Sequence, residues 1–327
     1  LGCAVFSAIF DHSLGCSDVG VLGLKLYLHQ TPSFLKQKIE RNPKMPSKQA
    51  ENLKHKAENE EKVEQQYLKG KKDEDLGVFC DLFSAKTGVE GQDGGVVSSL
   101  LIKGFREGLF DAAIVVRRTE GYNAEAAVAE TAEDVLAAKG TQYLRVNVTK
   151  KLRELISEGK KRIAVVCTPC EAAVARKIQQ TNGRDCEITI IGLFCFEAFN
   201  RERLKDELKN RLSVDLDKVG RIQVRQGRFT AQIEGGEVSC RVKDLDRASD
   251  GACRLCDDFV CRLADVSVGS VGSRPGYSTM IVRSEVGEKL VRNMDAAKET
   301  VDKQEICRVA KFKKNRSKKG FSRLNKS

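Results

Sequence analysis

The stretch Ile163-Ala-Val-Val-Cys167-Thr-Pro-Cys170-Glu171 decides how this chain folds. Its first five residues are apolar without alternation, which suits a strand covered on both faces of a parallel sheet. A helical pattern follows at once over Glu171–Gln179, so strand and helix meet at a short turn flanked by two thiols. In open α/β sheets ligands gather at the carboxyl ends of the strands, which is where this turn falls. The same alternation extends outward in both directions. Strands are expected at Ala113–Arg117 and Glu187–Leu193, and helices at Val96–Glu107, Ala132–Ala138, Lys150–Glu158 and Arg201–Arg211. This is the pattern of an α/β domain with a mostly parallel sheet and flanking helices.

Beyond Gly220 the texture changes. Arg221–Val224, Arg228–Ile233 and Glu237–Val242 read as short strands separated by glycine turns at Gly227 and Gly235-Gly236, a small antiparallel β insert over about 220–242. Val266–Val271 and Thr279–Arg283 add two strands, and Glu285–Met294 a helix. Residues 1–75 turn polar from Ser33 onward, with Pro43 and Pro46 as interruptions, and form an N-terminal extension expected to be helical or partly disordered. The main domain is expected over 76–300, and 301–327 form a basic C-terminal tail.

With 327 residues, 41% hydrophobic and 31% charged, the chain is neither fibrous nor wholly disordered. Its longest apolar stretch, Leu1–Phe10, is too short to cross a membrane. No charged leader with a small-residue cleavage site is visible, so a cytoplasmic protein is expected, with any membrane contact peripheral and made through a complex. The net charge is +11, and Lys311–Ser327 holds eight cations and no acid. A solvated tail, or one that docks on an acidic partner, accounts for them. No zinc-finger or RNP-type motif accompanies the tail, so nucleic acid is not an expected partner.

Twelve cysteines require a chemical explanation. In an enzyme-sized chain without a secretory leader, thiols bind metal or do redox work more often than they form disulfide frameworks. Two C-x-x-C pairs, Cys167/Cys170 and Cys253/Cys256, stand out, with Cys195 ending another apolar strand. Spacing alone suits a zinc ion, an iron–sulfur cluster or, for Cys167/Cys170, a dithiol. Isolated cysteines such as Cys80, Cys186, Cys240 and Cys307 read as small buried hydrophobes. The three histidines, His12, His29 and His55, all precede the α/β region, which argues against a Ser-His-Asp hydrolase or a histidine-ligated metal there. Gly91-Gln-Asp-Gly-Gly95 before a helix, Gly140-Thr141 and Gly269-Ser-Val-Gly-Ser273 are loops open to a phosphate or a ring edge.

Taken in order, Gly91-Gln-Asp-Gly-Gly-Val-Val-Ser-Ser99, Cys167-Thr-Pro-Cys-Glu171, Ile191-Gly-Leu-Phe-Cys-Phe-Glu-Ala-Phe199, Cys253-Arg-Leu-Cys-Asp-Asp-Phe259 and Leu263-Ala-Asp-Val-Ser-Val-Gly-Ser-Val-Gly-Ser273 resemble the coenzyme F420 hydrogenase/dehydrogenase beta-subunit family. The resemblance covers about Leu76 to Leu290. Departures are Arg274-Pro-Gly-Tyr277, where the family commonly has Pro-Asp-Gly-Trp, and Cys261-Arg262, where it commonly has Ala-Glu. The resemblance implies FAD, one [4Fe-4S] cluster and hydride exchange with coenzyme F420 in the setting of archaeal methanogenesis. It implies partner subunits of a hydrogenase, formate dehydrogenase, heterodisulfide reductase or F420H2 dehydrogenase type complex. Carried over, the cluster ligands are Cys170, Cys195, Cys253 and Cys256, which replaces the Cys167 of the spacing argument by Cys195. The flavin residues are Gln92, Asp93, Gly94, Gly95, Val96, Ser98, Gly140, Thr141, Thr168, Ser270, Val271, Gly272, Ser273, Ser278 and Thr279. The phosphate and carboxylates of F420 call for cations, for which Lys139, Arg145 and Arg274 are candidates. No catalytic side chain is nominated. The competing readings are a reductase of the same superfamily that uses ferredoxin or another hydride partner, and a zinc-bound scaffold with a nucleic-acid-binding tail.

Overall fold

The computed structural model describes residues 58–182 and 185–324. The N-terminal extension up to residue 57, including the three histidines, lies outside the described residues. Residues 58–67 are helical, and Val63–Gly320 form one compact unit. A hairpin of β1 (Lys71–Asp73) and β2 (Gly77–Phe79) leads into β3 (Asp81–Thr87), α1 (Val96–Arg106), β4 (Ala112–Thr119) and β5 (Asn123–Ala129). Then come α2 (Ala132–Ala137), α3 (Val148–Ser157), β6 (Arg162–Cys167), α4 (Pro169–Asn182), β7 (Glu187–Leu193) and α5 (Arg201–Leu212). The insert is β8 (Arg221–Arg225), β9 (Arg228–Ile233) and β10 (Gly236–Arg241). The chain closes with β11 (Val266–Gly269), β12 (Ser278–Val282), α6 (Glu285–Val291), β13 (Ala296–Glu299) and α7 (Lys303–Leu324).

Eight strands form the main sheet in the order β13-β3-β12-β11-β7-β6-β4-β5. The four central strands β11, β7, β6 and β4 run parallel, and the flanking pairs are antiparallel. The alternation within β6 explains the uninterrupted apolar run. Ala164 and Val166 pack with Leu100 and Leu101 of α1 on one face, while Ile163, Val165 and Cys167 pack with Leu152 and Leu155 of α3 on the other. Both faces are covered, so neither tolerates polar residues. The insert is antiparallel throughout and closes its own core around Phe229 against Phe199, Leu204 and Leu208.

Three elements run against the expectations. Asn123–Ala129 forms edge strand β5, although its alanine-rich sequence carries little β preference; register with β4 supplies the pairing. The main unit begins before residue 76, because β1 pairs with β2 across that position. The basic C-terminal segment is not a solvated tail but belongs to the 22-residue helix α7. Its buried stripe is Ile306, Ala310, Lys313 and Ser317, and a Cβ on Gly320 would stand 2.5 Å from the Arg254 carbonyl oxygen. That spacing is helical, yet half the stripe is polar or bare backbone, which hides it from an apolar count. At least four of the eight cations are used internally. Lys311 and Lys314 reach Asp75, Lys313 reaches the Cys195 carbonyl, and Arg316 pairs with Glu197, while Lys303 adds a 2.8 Å pair to Asp73.

Candidate functional site: a four-thiol group and a polar cavity

Cys170 sits in the first turn of α4 beyond the carboxyl end of β6, and Cys195 lies two residues past β7. The other two thiols come from one loop. Asp250 accepts from the Ala252 amide at 2.9 Å and so starts the turn that carries Cys253, and the Cys256 amide returns to the Cys253 carbonyl at 3.4 Å. Backbone bonds from Asn200 to Ala248 and from Asp250 to Ala198, both 2.9 Å, lay this loop along the chain that follows Cys195. The Cys195 amide donates to Phe259 at 2.9 Å, and the Ala198 amide donates to Cys253 Sγ at 3.4 Å.

The four thiols act on one another. Burial pushes the Cys195 thiol up to about 12, and the neighbouring Cys170, Cys253 and Cys256 push it in the same direction, while Lys313 opposes them. Burial also raises the thiols of Cys170 and Cys253. Cys170 is nonetheless reached by solvent, as expected for a thiol lining a hollow, and shares a 3.3 Å contact with Thr168 Oγ1. Cys167 does not join this group. As the last residue of β6 it points into the opposite core, where its thiol hydrogen-bonds with that of the buried Cys261.

The donor set consists of thiols alone, and its spacing is informative. A single tetrahedral zinc, with Zn–S of about 2.3 Å, holds its sulfurs about 3.8 Å apart. Among the described residues, the group of three or more metal-type donors that closes to within 4.8 Å is Asp73, Asp75 and Cys307; the four thiols are spread more widely. Four thiols are a donor set that an iron–sulfur core takes. The aspartate group is neutralised by Lys303, Lys311 and Lys314 and works as a clamp for α7.

α7 fastens both cysteine-bearing loops by donating to their carbonyls. Lys313, 1% exposed, donates to Cys195 O at 2.5 Å; Arg316 donates to Phe196 O at 2.7 Å and Cys253 O at 3.1 Å; Ser317 donates to Leu255 O at 2.8 Å. Burial works against the charge on Lys313, but Cys195, Cys256 and Asp258 outweigh it, and the ammonium pKa is raised. Arg316 also lies over the Phe196 ring at 4.1 Å and pairs with the buried Glu197 at 2.7 Å. Arg316→Ala should therefore cost about 2 kcal/mol. Amide exchange should accelerate at residues 194–198 and 253–256 while β4 and β6 stay protected; unchanged exchange in those loops would show that α7 does not fasten them.

A cavity of about 260 Å³ has walls that include Gln92, Gly140 and Thr141, together with Arg118, Gln142 and Arg221. Three of the nominated flavin residues thus meet. Asp93 lies 3.7 Å from Arg225, and burial raises its carboxyl pKa against the pull of Arg225 and Arg221. Gly94 and Gly95 are required by the protein itself. A Cβ on Gly94 would stand 2.4 Å from Ala85 O, and Gly95 has φ 67° with Val89 O 1.8 Å from its Cβ position. Val96 is buried at the start of α1, with Ser98 half-buried in its first turn. Ser278 Oγ accepts from Gly94 N at 3.1 Å, which joins the glycine loop to β12. The loop Ser270–Ser273 is held by Thr279, which donates to Val271 O at 2.8 Å and contacts Ser273 at 2.7 Å. Gly272 makes its close approach to α7, since a Cβ there would meet Ile306 at 2.7 Å. Lys139 borders the cavity and pairs with Glu90 at 2.7 Å, and Arg145 stands 3.9 Å from Asp250 within the field of Cys170. Arg274 is committed elsewhere, to Glu299 at 2.7 Å.

Two family models cover the coenzyme F420 hydrogenase/dehydrogenase beta subunit: the one for its N-terminal part matches residues 83–153, and the one for its C-terminal part matches residues 160–306. The coenzyme F420 hydrogenase subunit beta of Methanococcus voltae is 33% identical over 213 residues, covering 62% of this chain and 75% of that one. The chain belongs to the coenzyme F420 hydrogenase/dehydrogenase beta-subunit family. The chain is also similar to the coenzyme F420-dependent sulfite reductase of Methanocaldococcus jannaschii, 34% identical over 74% of this chain and 40% of that protein. An F(420)H(2) dehydrogenase subunit of Methanosarcina mazei is 35% identical over 63% of this chain and 59% of its own length. The chain thus spans about half the length of these two relatives. A chain of the F420-reducing [NiFe] hydrogenase complex from Methanosarcina barkeri superposes with TM-score 0.72 at 26% identity, covering 76% of this chain and 93% of that one. The relatives named here are oxidoreductases or subunits of them. All four thiols fall inside the family match, whereas Lys313, Arg316 and Ser317 lie beyond its last residue, 306. No described helix is long and apolar enough to cross a membrane.

Proposed function

We propose that this chain is an F420-dependent flavin and iron–sulfur oxidoreductase subunit that transfers hydride between coenzyme F420 and FAD and passes single electrons to a partner redox subunit. The observation that carries this reading is the four-thiol group at the carboxyl edge of a parallel sheet, in a chain that also has a cavity with polar walls. When bound, FAD and a [4Fe-4S] cluster supply the two-electron and one-electron halves of that chemistry. Cys170, Cys195, Cys253 and Cys256 would hold the cluster. Lys313 and the Ala198 amide place positive charge and an N–H against the sulfurs, which offsets the charge of thiolates taken out of water. Gln92, Gly140 and Thr141 would flank the flavin, and the polar walls orient the ring edge.

The partner surface in this reading is the outer face of α7, where Arg308, Lys311 and Lys319 surround Phe312, 64% exposed. The Phe312 ring stacks 5.7 Å from that of Phe196, the residue after Cys195, so an acidic redox subunit docked there sits next to the thiol group.

Anaerobically purified protein should be brown-yellow, with about four irons per chain for one cluster and one flavin, and the flavin should bleach on mixing with reduced F420. Bleaching by another reductant only would favour the ferredoxin-type reading. A colourless protein with stoichiometric zinc and no flavin would overturn both.

A further inference from the structure

One cation of α7 stands apart from its neighbours. Lys311 and Lys314 reach Asp75, and Arg316 pairs with Glu197 at 2.7 Å. Lys313 is 1% exposed, yet among the described residues it has no carboxylate within 4 Å. Its ammonium donates to Cys195 O at 2.5 Å and to the Cys256 sulfur. Asp258, the acid whose field reaches it, is held by Arg262: it accepts from the Arg262 amide at 2.8 Å and stands 3.8 Å from the guanidinium. A charge out of reach of water is costly unless an opposite charge meets it. The sulfurs themselves are the partners left to supply that charge.

Four thiolates around an iron–sulfur core make the whole group negative, and one-electron reduction adds one more negative charge with no bond made or broken. Where water is excluded, a fixed cation gains more from the reduced form than from the oxidised one, so it favours uptake of the electron. Arg316 and Arg145 also stand near the sulfurs, but each has a carboxylate of its own, Glu197 at 2.7 Å and Asp250 at 3.9 Å, which offsets part of its field. We propose that Lys313 sets the reduction potential of the group held by the four thiols, its ammonium raising that potential by stabilising the electron the group takes up. This rests on the function proposed above. It concerns a residue beyond the family match, which ends at residue 306. A lysine that only fastened the Cys195 loop would act through its hydrogen bond rather than its charge, and the two can be separated.

The test titrates the anaerobically purified full chain with dithionite at fixed pH and follows the reduced core by its electron paramagnetic resonance signal, which is distinct from that of flavin. Lys313→Gln keeps an N–H donor for Cys195 O and removes the charge, and Lys313→Met removes both. Each should make the equilibrium constant for reduction about tenfold smaller, a fall in potential of about 59 mV for one electron. Lys313→Arg keeps the charge and should shift the constant less than threefold. Ser317→Ala removes a neutral fastening bond of the same helix, the one to Leu255 O at 2.8 Å, and should also shift it less than threefold. The second neutral variant keeps the test decisive if the first fails to fold. A fall of less than threefold in the neutral variants, or an equal fall in Ser317→Ala, would overturn the assignment. Iron lost from both neutral variants would place Lys313 in holding the core rather than in setting its potential, and would overturn it as well. Wild type without iron or without the reduced signal would instead defeat the function reading itself.

Discussion

Cys195→Ser should abolish the iron–sulfur absorbance of the anaerobically purified protein and reduce its iron content from about four per chain to near zero. Cys167→Ser should leave both intact. The contrast tests geometry against sequence spacing, because Cys167 and Cys170 form the more obvious C-x-x-C pair. Cys195 is held in place by its amide bond to Phe259 and by Lys313 on its carbonyl. Its thiol is influenced by the other three. Cys167 belongs to the hydrophobic core beneath α3 and α4 and shares a hydrogen bond with Cys261. A serine there loses a buried sulfur and its packing, at a cost in stability but not in ligation. Iron retained in Cys195→Ser and lost in Cys167→Ser would show the ligand set to be wrong.

Asp265→Ala should destabilise the fold by about 3–5 kcal/mol, the usual cost of stripping one partner from a buried ion pair. Asp265 sits at the entry to β11, with Arg176 Nη2 2.9 Å from Oδ1 and both side chains almost fully buried. Ser284 donates to the same oxygen at 2.6 Å, and the Ile190 amide donates to Oδ2 at 2.7 Å. One carboxylate therefore joins α4, β7, β11 and the cap of α6. Alanine leaves the Arg176 charge out of reach of water and two donors, the Ser284 hydroxyl and the Ile190 amide, without an acceptor. Asp265→Asn keeps an oxygen for the amide and should cost less. Urea unfolding with an unchanged slope and a lower midpoint is the expected signature; a loss below about 1 kcal/mol would mean that water reaches Arg176 and satisfies it.

The strands of the main sheet were legible because two-sided burial writes itself as uninterrupted apolar runs. Glu187–Leu193 is the clearest case, and the insert showed through its glycine turns. Edge strand β5 was not legible, since its stability comes from register with β4 and not from its own residues. The glycine loops were visible as loops, but their purpose was not. Gly94, Gly95 and Gly272 are glycine because neighbouring protein comes too close for a Cβ, a cause that depends on residues far away in the chain.

The linear sequence by itself determined the α/β class and the family, because hydrophobic periodicity and ordered short motifs are local and survive without coordinates. Spacing favoured Cys167 and the family resemblance Cys195; tertiary structure puts Cys195 among the other three thiols and Cys167 in the core, and turns a run of lysines and arginines into a helix bound to their loops. A charge pattern cannot show this in advance: Lys313 is buried only because the carbonyl of Cys195, 118 residues away, is there to receive it. A polar side chain enters a core only where a distant partner already waits.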